Sequence, residues 1–158
     1  MNTLLPKAER LASLPPVVAV GSMLVTDDDG LELLVKANYG PCAWQLPGGM
    51  LDLGEYPPVC AERELAEETG LNCQTVGLLA VMWHIPKESS GGRAVVQFLF
   101  DGGQVPAGTP VHLQRSELSE ARWVRPAEAM TLLDDKRGAW LESALRAKRG
   151  EPVQVLAR

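Results

Sequence analysis

The chain has 158 residues, 46% hydrophobic and 22% charged, with a net charge of −5. This length can bury one real core, and the composition excludes a disordered chain. The acidic balance argues against a surface that tracks nucleic-acid phosphates, and no apolar run approaches the ~18 residues of a membrane span.

The three cysteines, Cys42, Cys60 and Cys73, are odd in number and lack CxxC spacing. Neither a disulfide framework nor a zinc site is expected from them. The opening stretch MNTLLPKAERLASLPP has no continuous apolar segment of the signal-peptide kind. The expected setting is therefore the reducing cytoplasm, with no membrane and no nucleic-acid partner.

Residues 1–16 read as an arm that closes at Pro15-Pro16, with a helical turn around Lys7 to Leu14. Val17 to Thr26 is a β-branched, apolar run ending at Asp27-Asp28-Asp29-Gly30, so a strand and turn are expected. Leu31 to Lys36 returns as the second strand of a hairpin. Tyr39-Gly40-Pro41 marks a loop, and Trp44 to Leu46 a short strand into a glycine turn. A helix starts near Pro57-Pro58, where proline suits the first turn, and stops at Gly70. Val76 to His84 and Arg93 to Phe100 read as strands around the loop 86–92, with Asp101-Gly102-Gly103 a turn and Pro106 to Pro110 a loop. Ala121 to Val124 is a short strand, and Pro126 to Leu133 and Arg137 to Lys148 are closing helices. Arg146, Lys148 and Arg149 at the end of the last helix complement its dipole. Strands and helices interleave without a repeat or a long linker, so residues 1–158 read as one α/β domain.

The chemistry concentrates between Gly48 and Leu71. Glu64, Glu67 and Glu68 fall at i, i+3 and i+4, which places three carboxylates on one helix face. Alone they repel. A hard divalent cation would reverse the sign, because Mg²⁺ takes oxygen ligands from a few carboxylates together with substrate phosphates. The plain alternative is a solvated acidic face.

The order Gly49, five residues, Glu55, seven residues, then Arg63-Glu64-Leu65-Ala66-Glu67-Glu68-Thr69-Gly70-Leu71 resembles the signature box of the Nudix hydrolases at every fixed position. Trp44-Gln45-Leu46-Pro47-Gly48 resembles the family's lead-in, and Ala121-Arg122-Trp123-Val124 its late strand. The resemblance implies the Nudix fold, a mixed β-sheet sandwiched between α-helices. It implies a Mg²⁺-dependent pyrophosphohydrolase, with Mn²⁺ as an alternative cofactor, acting on a small-molecule nucleotide. It also implies Glu64, Glu67 and Glu68 as the acidic metal-binding group, with the Gly49 carbonyl as a further ligand. Glu64 is a candidate general base, and Arg63 and Glu67 complete the catalytic group, Arg63 by orienting the carboxylates. Glu55 would act through hydrogen bonds or water.

A further acid often precedes the late strand in this family. Glu117, six residues before Trp123, fits that place, with Glu120 as competitor. Lys36 is a candidate phosphate contact, although a strand-edge lysine also guards against aggregation. Pro86, fifteen residues after Leu71, resembles the proline that marks ADP-ribose pyrophosphatases. Pro86 and Arg93 are thus candidate substrate contacts, as is His84. Trp44 and Trp83 could stack on a base or pack in the core. A nucleoside triphosphate or an oxidised nucleotide stays open as substrate. So does a catalytically silent nucleotide-binding protein on the same fold; an isomerase would want a histidine-containing metal site, and only His84 and His112 are present. Homodimers are common in the family, and the N-terminal arm is the element that would mediate one.

Overall fold

The strand β1, Val17–Asp27, is apolar on both faces, and its side chains alternate between two separate cores. A strand covered on both sides requires that pattern. Met23 and Val25 pack with Leu33, Ala61, Leu65, Leu71 and Phe100. Leu24, between them, packs with Leu34, Leu79, Met82, Leu99, Trp140 and Leu141.

The computed structural model describes residues 6–41 and 43–157. In chain order the elements are α1 (Lys7–Ala12), β1, β2 (Glu32–Ala37), β3 (Trp44–Gln45), β4 (Gly48–Met50), α2 (Pro57–Thr69) and β5 (Gly77–His84). A 3₁₀ turn at Glu88–Ser90 follows, then β6 (Ala94–Val105), β7 (Leu118–Val124), α3 (Pro126–Leu132), α4 (Asp135–Lys148) and β8 (Gln154–Ala157).

β1 runs parallel to β6 along its whole length. Its other edge takes β4 antiparallel at Gly21↔Gly49 and β2 antiparallel at Thr26↔Glu32, which realises the expected hairpin. β2 carries β3 and β7, both antiparallel. β5 pairs antiparallel with β6 and parallel with β8. Helix α2 covers one face of this mixed sheet through Ala61 and Leu65. Helices α3 and α4 cover the other through Ala129, Trp140, Leu141 and Ala144. The expected sandwich of a mixed sheet between helices is what the chain forms.

Two expectations are corrected, and one strand was not foreseen. Asp101-Gly102-Gly103 is not a turn but the middle of β6, where the pairing with β1 shifts register between Leu24 and Thr26. Gly103 has φ +71° there, and a Cβ on Gly102 would lie 2.6 Å from Met23 Sδ, so the glycines serve a bulge and a close packing contact. The glycine turn after Trp44 contains a strand, β4. The chain's last strand, β8, carries no sequence signal because all but Leu156 of its residues are exposed on the sheet edge.

Cys60 and Cys73 are free thiols, and Cys42 lies outside the described residues. Among the described residues no helix is long and apolar enough to cross a membrane.

Candidate active site

Helix α2 sits unusually close to β1. A Cβ on Gly21 would lie 2.4 Å from the Pro57 carbonyl oxygen and 2.9 Å from the Ala61 nitrogen. The absence of a side chain at Gly21, with the small Cys60 and Ala61 opposite, lets backbone meet backbone. Prolines occupy the first turn of α2, and Gly70 ends it with φ +73° and its N–H bonded to the Ala66 carbonyl. The short β4 brings Gly48 and Gly49 alongside the carboxylates of that helix.

The Gly48 N–H donates to Glu68 Oε2 at 2.9 Å. Gly49 abuts Glu64 so closely that a Cβ there would lie 2.3 Å from the carboxyl carbon. The Gly49 carbonyl accepts from Cys60 Sγ at 3.3 Å. Arg63 ties the group together. It grips Glu55 with Nε on Oε1 at 2.8 Å and Nη2 on Oε2 at 3.0 Å. Its Nη1 donates to Glu64 Oε1 at 2.9 Å and Glu67 Oε2 at 3.1 Å, and its Nη2 to the Met50 carbonyl at 3.2 Å.

These contacts separate the carboxylates electrically. The Arg63 hydrogen bonds, with the Asp52 N–H, hold Glu55 down to about 2. Glu68 is 2% exposed, and burial pushes it up to about 8 against the pull of the Gly48 N–H. Burial also raises Glu64, opposed by Arg63 and reinforced by Glu67 and Glu117. Hydrogen bonds donated to Glu55 and Glu64 raise Arg63 further above its ordinary range. Burial pushes the Cys60 thiol up to about 11, the wrong direction for a nucleophile.

Among the described residues no three acidic, histidine or cysteine side chains are already drawn together tightly enough to hold a metal ion. The donor chemistry nevertheless suits a hard divalent cation, since every candidate ligand is an oxygen. Burial is the main reason Glu64 and Glu68 are raised, and the same-sign repulsion that adds to it is what such a cation would relieve. The residues present fit the group.

The other residues singled out in the sequence distribute unevenly. Glu117 is exposed, and its charge reaches Glu64 and Glu68. Glu120 does not join them: it pairs with Lys36 Nζ at 2.9 Å and Arg122 Nη2 at 3.0 Å. Lys36 and Arg122 flank the buried Trp44 ring at 5.7 and 4.9 Å, so Lys36 is already engaged and Trp44 is packed rather than presented to a base.

A cavity of about 520 Å³ opens on the α4 side of the sheet, lined by Met82, His84, Ile85, Val95, Gln97 and Arg137 among others. Pro86 and Arg93 flank the loop beside it without lining it. His84 Nε2 and Gln97 Oε1 are 2.7 Å apart. Gln97 and Arg137 also line a smaller pocket with Ser22, Gly48 and Trp140, so the two hollows adjoin, and the Gly48 N–H beside the smaller one is bonded to Glu68. Sequence reading missed Gln97 and Arg137. They lie in different elements, β6 and α4, and come together only in the lining of these two hollows.

The NUDIX domain family model matches residues 15–146. An RNA pyrophosphohydrolase of Roseobacter denitrificans is 36% identical over 76% of this chain and 83% of its own length. An ADP-ribose pyrophosphatase of Methanocaldococcus jannaschii is 33% identical over 60% of this chain and 57% of its own. The crystal structure of a MutT protein from Methanosarcina mazei superposes with a TM-score of 0.74 at 24% identity, covering 87% of this chain and 99% of that one.

Proposed function

The chain belongs to the NUDIX domain family of hydrolases acting on phosphoanhydride bonds, and from that premise we propose that it is a Mg²⁺-dependent pyrophosphohydrolase of a nucleoside diphosphate linked to another moiety. One observation carries this reading. Glu64, Glu67 and Glu68 share one face of α2, held by Arg63 and by the N–H of Gly48, which itself lines a pocket adjoining the cavity of about 520 Å³.

Glu64, Glu67 and Glu68 would hold the cation, with Glu117 and the Gly49 carbonyl as further oxygen donors. Mg²⁺, or Mn²⁺ in its place, would neutralise phosphate charge and lower the pKa of the attacking water. Arg63 fixes Glu64 and Glu67 in place through one nitrogen while Glu55 locks the guanidinium from the other side. Glu64, adjacent to the Gly49 backbone, is the candidate base that takes the water's proton. The α4-side cavity would take the nucleoside or the second moiety. The names of the two relatives make ADP-ribose-like compounds and RNA the first substrates to try.

The test is a panel of ADP-ribose, nucleoside triphosphates, nucleotide sugars and dinucleoside polyphosphates, run with Mg²⁺ in ¹⁸O-labelled water. Product masses report both the substrate and the phosphorus attacked. Glu67→Gln and Glu68→Gln are expected to abolish turnover in folded protein, and wild-type rates in both would overturn the site. Tight binding of one nucleotide without hydrolysis would favour the silent binding protein instead.

A further inference from the structure

Lys87, in the loop after β5, and Lys136, in the first turn of α4, line the same cavity. The Lys136 ammonium lies close enough to Lys87 to disfavour the charge on it. Among the described residues neither is in an ion pair. Asp134, the carboxylate that also lines the cavity, is taken by the Arg137 guanidinium and by the Lys136 and Arg137 backbone N–H groups. Two like charges in contact cost stability unless an anion comes between them. Beside them Pro41, Met82, Ile85 and Val95 provide an apolar wall.

We propose that Lys87 and Lys136 form a phosphate subsite in the cavity, so that the preferred substrate carries a phosphate separate from the diphosphate that is cleaved. The proposal rests on the hydrolase reading above, because the lysine-lined cavity shares Gln97 and Arg137 with the pocket at Gly48, whose N–H is bonded to Glu68. A ligand whose diphosphate lies at Gly48 passes Gln97 and Arg137, lays its ring or sugar against the apolar wall, and presents its far end to the two ammonium groups. Lysine suits a terminal phosphate as a compact point charge with rotatable donors. Bridging by one phosphate converts the repulsive contact into two charge-assisted hydrogen bonds.

Two measurements test this, the first of them independent of hydrolysis. Inorganic phosphate is titrated into metal-free protein at low salt, with melting temperature and amide shifts as readouts. The expected result is a saturable rise in melting temperature with shifts centred on Lys87 and Lys136, and an affinity about tenfold weaker in Lys136→Gln. An unsaturable response, or one unchanged in Lys136→Gln and Lys87→Gln, would overturn the subsite. Kinetics with ADP-ribose and its 2′-phosphorylated form follow. The ratio of kcat/KM should favour the phosphorylated compound and fall about fivefold or more in either variant; a ratio that the variants leave unmoved would also overturn it. If phosphate binds at the lysines while no nucleotide is hydrolysed, the subsite stands and the hydrolase reading falls.

Discussion

Arg63 and Glu55 meet through two parallel hydrogen bonds, 2.8 and 3.0 Å long, from opposite ends of the guanidinium and carboxylate forks. The pair is eight residues apart in sequence and spans the loop before α2. Its effect is to aim the remaining nitrogen of Arg63 at Glu64 and Glu67.

Lysine cannot reproduce that fork. Arg63→Lys should lower kcat on the order of 10–100-fold, the usual cost of losing a partner that orients ligating groups. Steady-state kinetics over a Mg²⁺ titration should show a weakened apparent metal affinity as well. Wild-type values in this variant would mean that the clamp is structural only.

Gly49→Ala probes the same group from the β4 side. The added methyl would meet the Glu64 carboxyl at 2.3 Å, so Glu64 must leave its place beside Arg63. Activity should fall at least about tenfold, because roughly a 1 Å displacement of a reacting or ligating group is enough to cost more than that. Circular dichroism should stay native, since the clash is with the end of a flexible side chain. An active Gly49→Ala enzyme would remove Glu64 from the site.

The box was legible because its spacing is local: one helical turn dictates which carboxylates share a face, and Arg63 reaches Glu67 as i, i+4 geometry requires. Boundaries of α2 were legible too, since proline and glycine act on their own backbone. Gly102 and Gly103 misled because glycine in a strand bulge and glycine in a turn look the same until Met23 and Val25 are known to lie against Gly102. Lys36 looked free for a phosphate because nothing local reveals that Glu120, 84 residues on, lies across the strand pair. The two hollows were illegible for the same reason, their lining being assembled from β4, β5, β6 and α4.

Glu32 and Glu68, both raised by burial, should shape the pH dependence of stability, and Glu32 can be tested away from the candidate site. Its side chain is fully buried in β2, neither carboxyl oxygen has a hydrogen-bond partner, and burial pushes it up to about 7 despite Lys148. Lys148 itself is committed to Asp101 Oδ1 at 2.8 Å and Thr26 Oγ1 at 3.2 Å. A carboxyl raised from its ordinary 4.5 binds its proton more tightly in the folded state. Its contribution is therefore complete below about pH 4.5 and is lost as pH rises through about 7. Glu32→Gln should flatten the stability profile over this window and exceed wild type at pH 8 by up to about 3 kcal/mol. Urea denaturation at pH 5, 6.5 and 8 measures it, and parallel profiles for the two proteins would refute the assignment.

Gly21→Ala tests whether the closeness of α2 to β1 holds the site in shape. Here the added methyl meets backbone, the Pro57 oxygen at 2.4 Å and the Ala61 nitrogen at 2.9 Å, and backbone cannot rotate away. Helix α2 must retreat from the sheet, which costs about 1–3 kcal/mol as overpacking. The retreat also draws Cys60 from the Gly49 carbonyl and Glu68 from the Gly48 N–H. Gly30→Ala is the control: its φ of +75° costs about 1–2 kcal/mol, yet a methyl there meets nothing within 4 Å. The two variants should lose similar stability in urea, while only Gly21→Ala loses activity, by about tenfold or more. Equal activity in both would show that the carboxylate face tolerates a shift of its helix, and that the Gly21 contact serves packing alone.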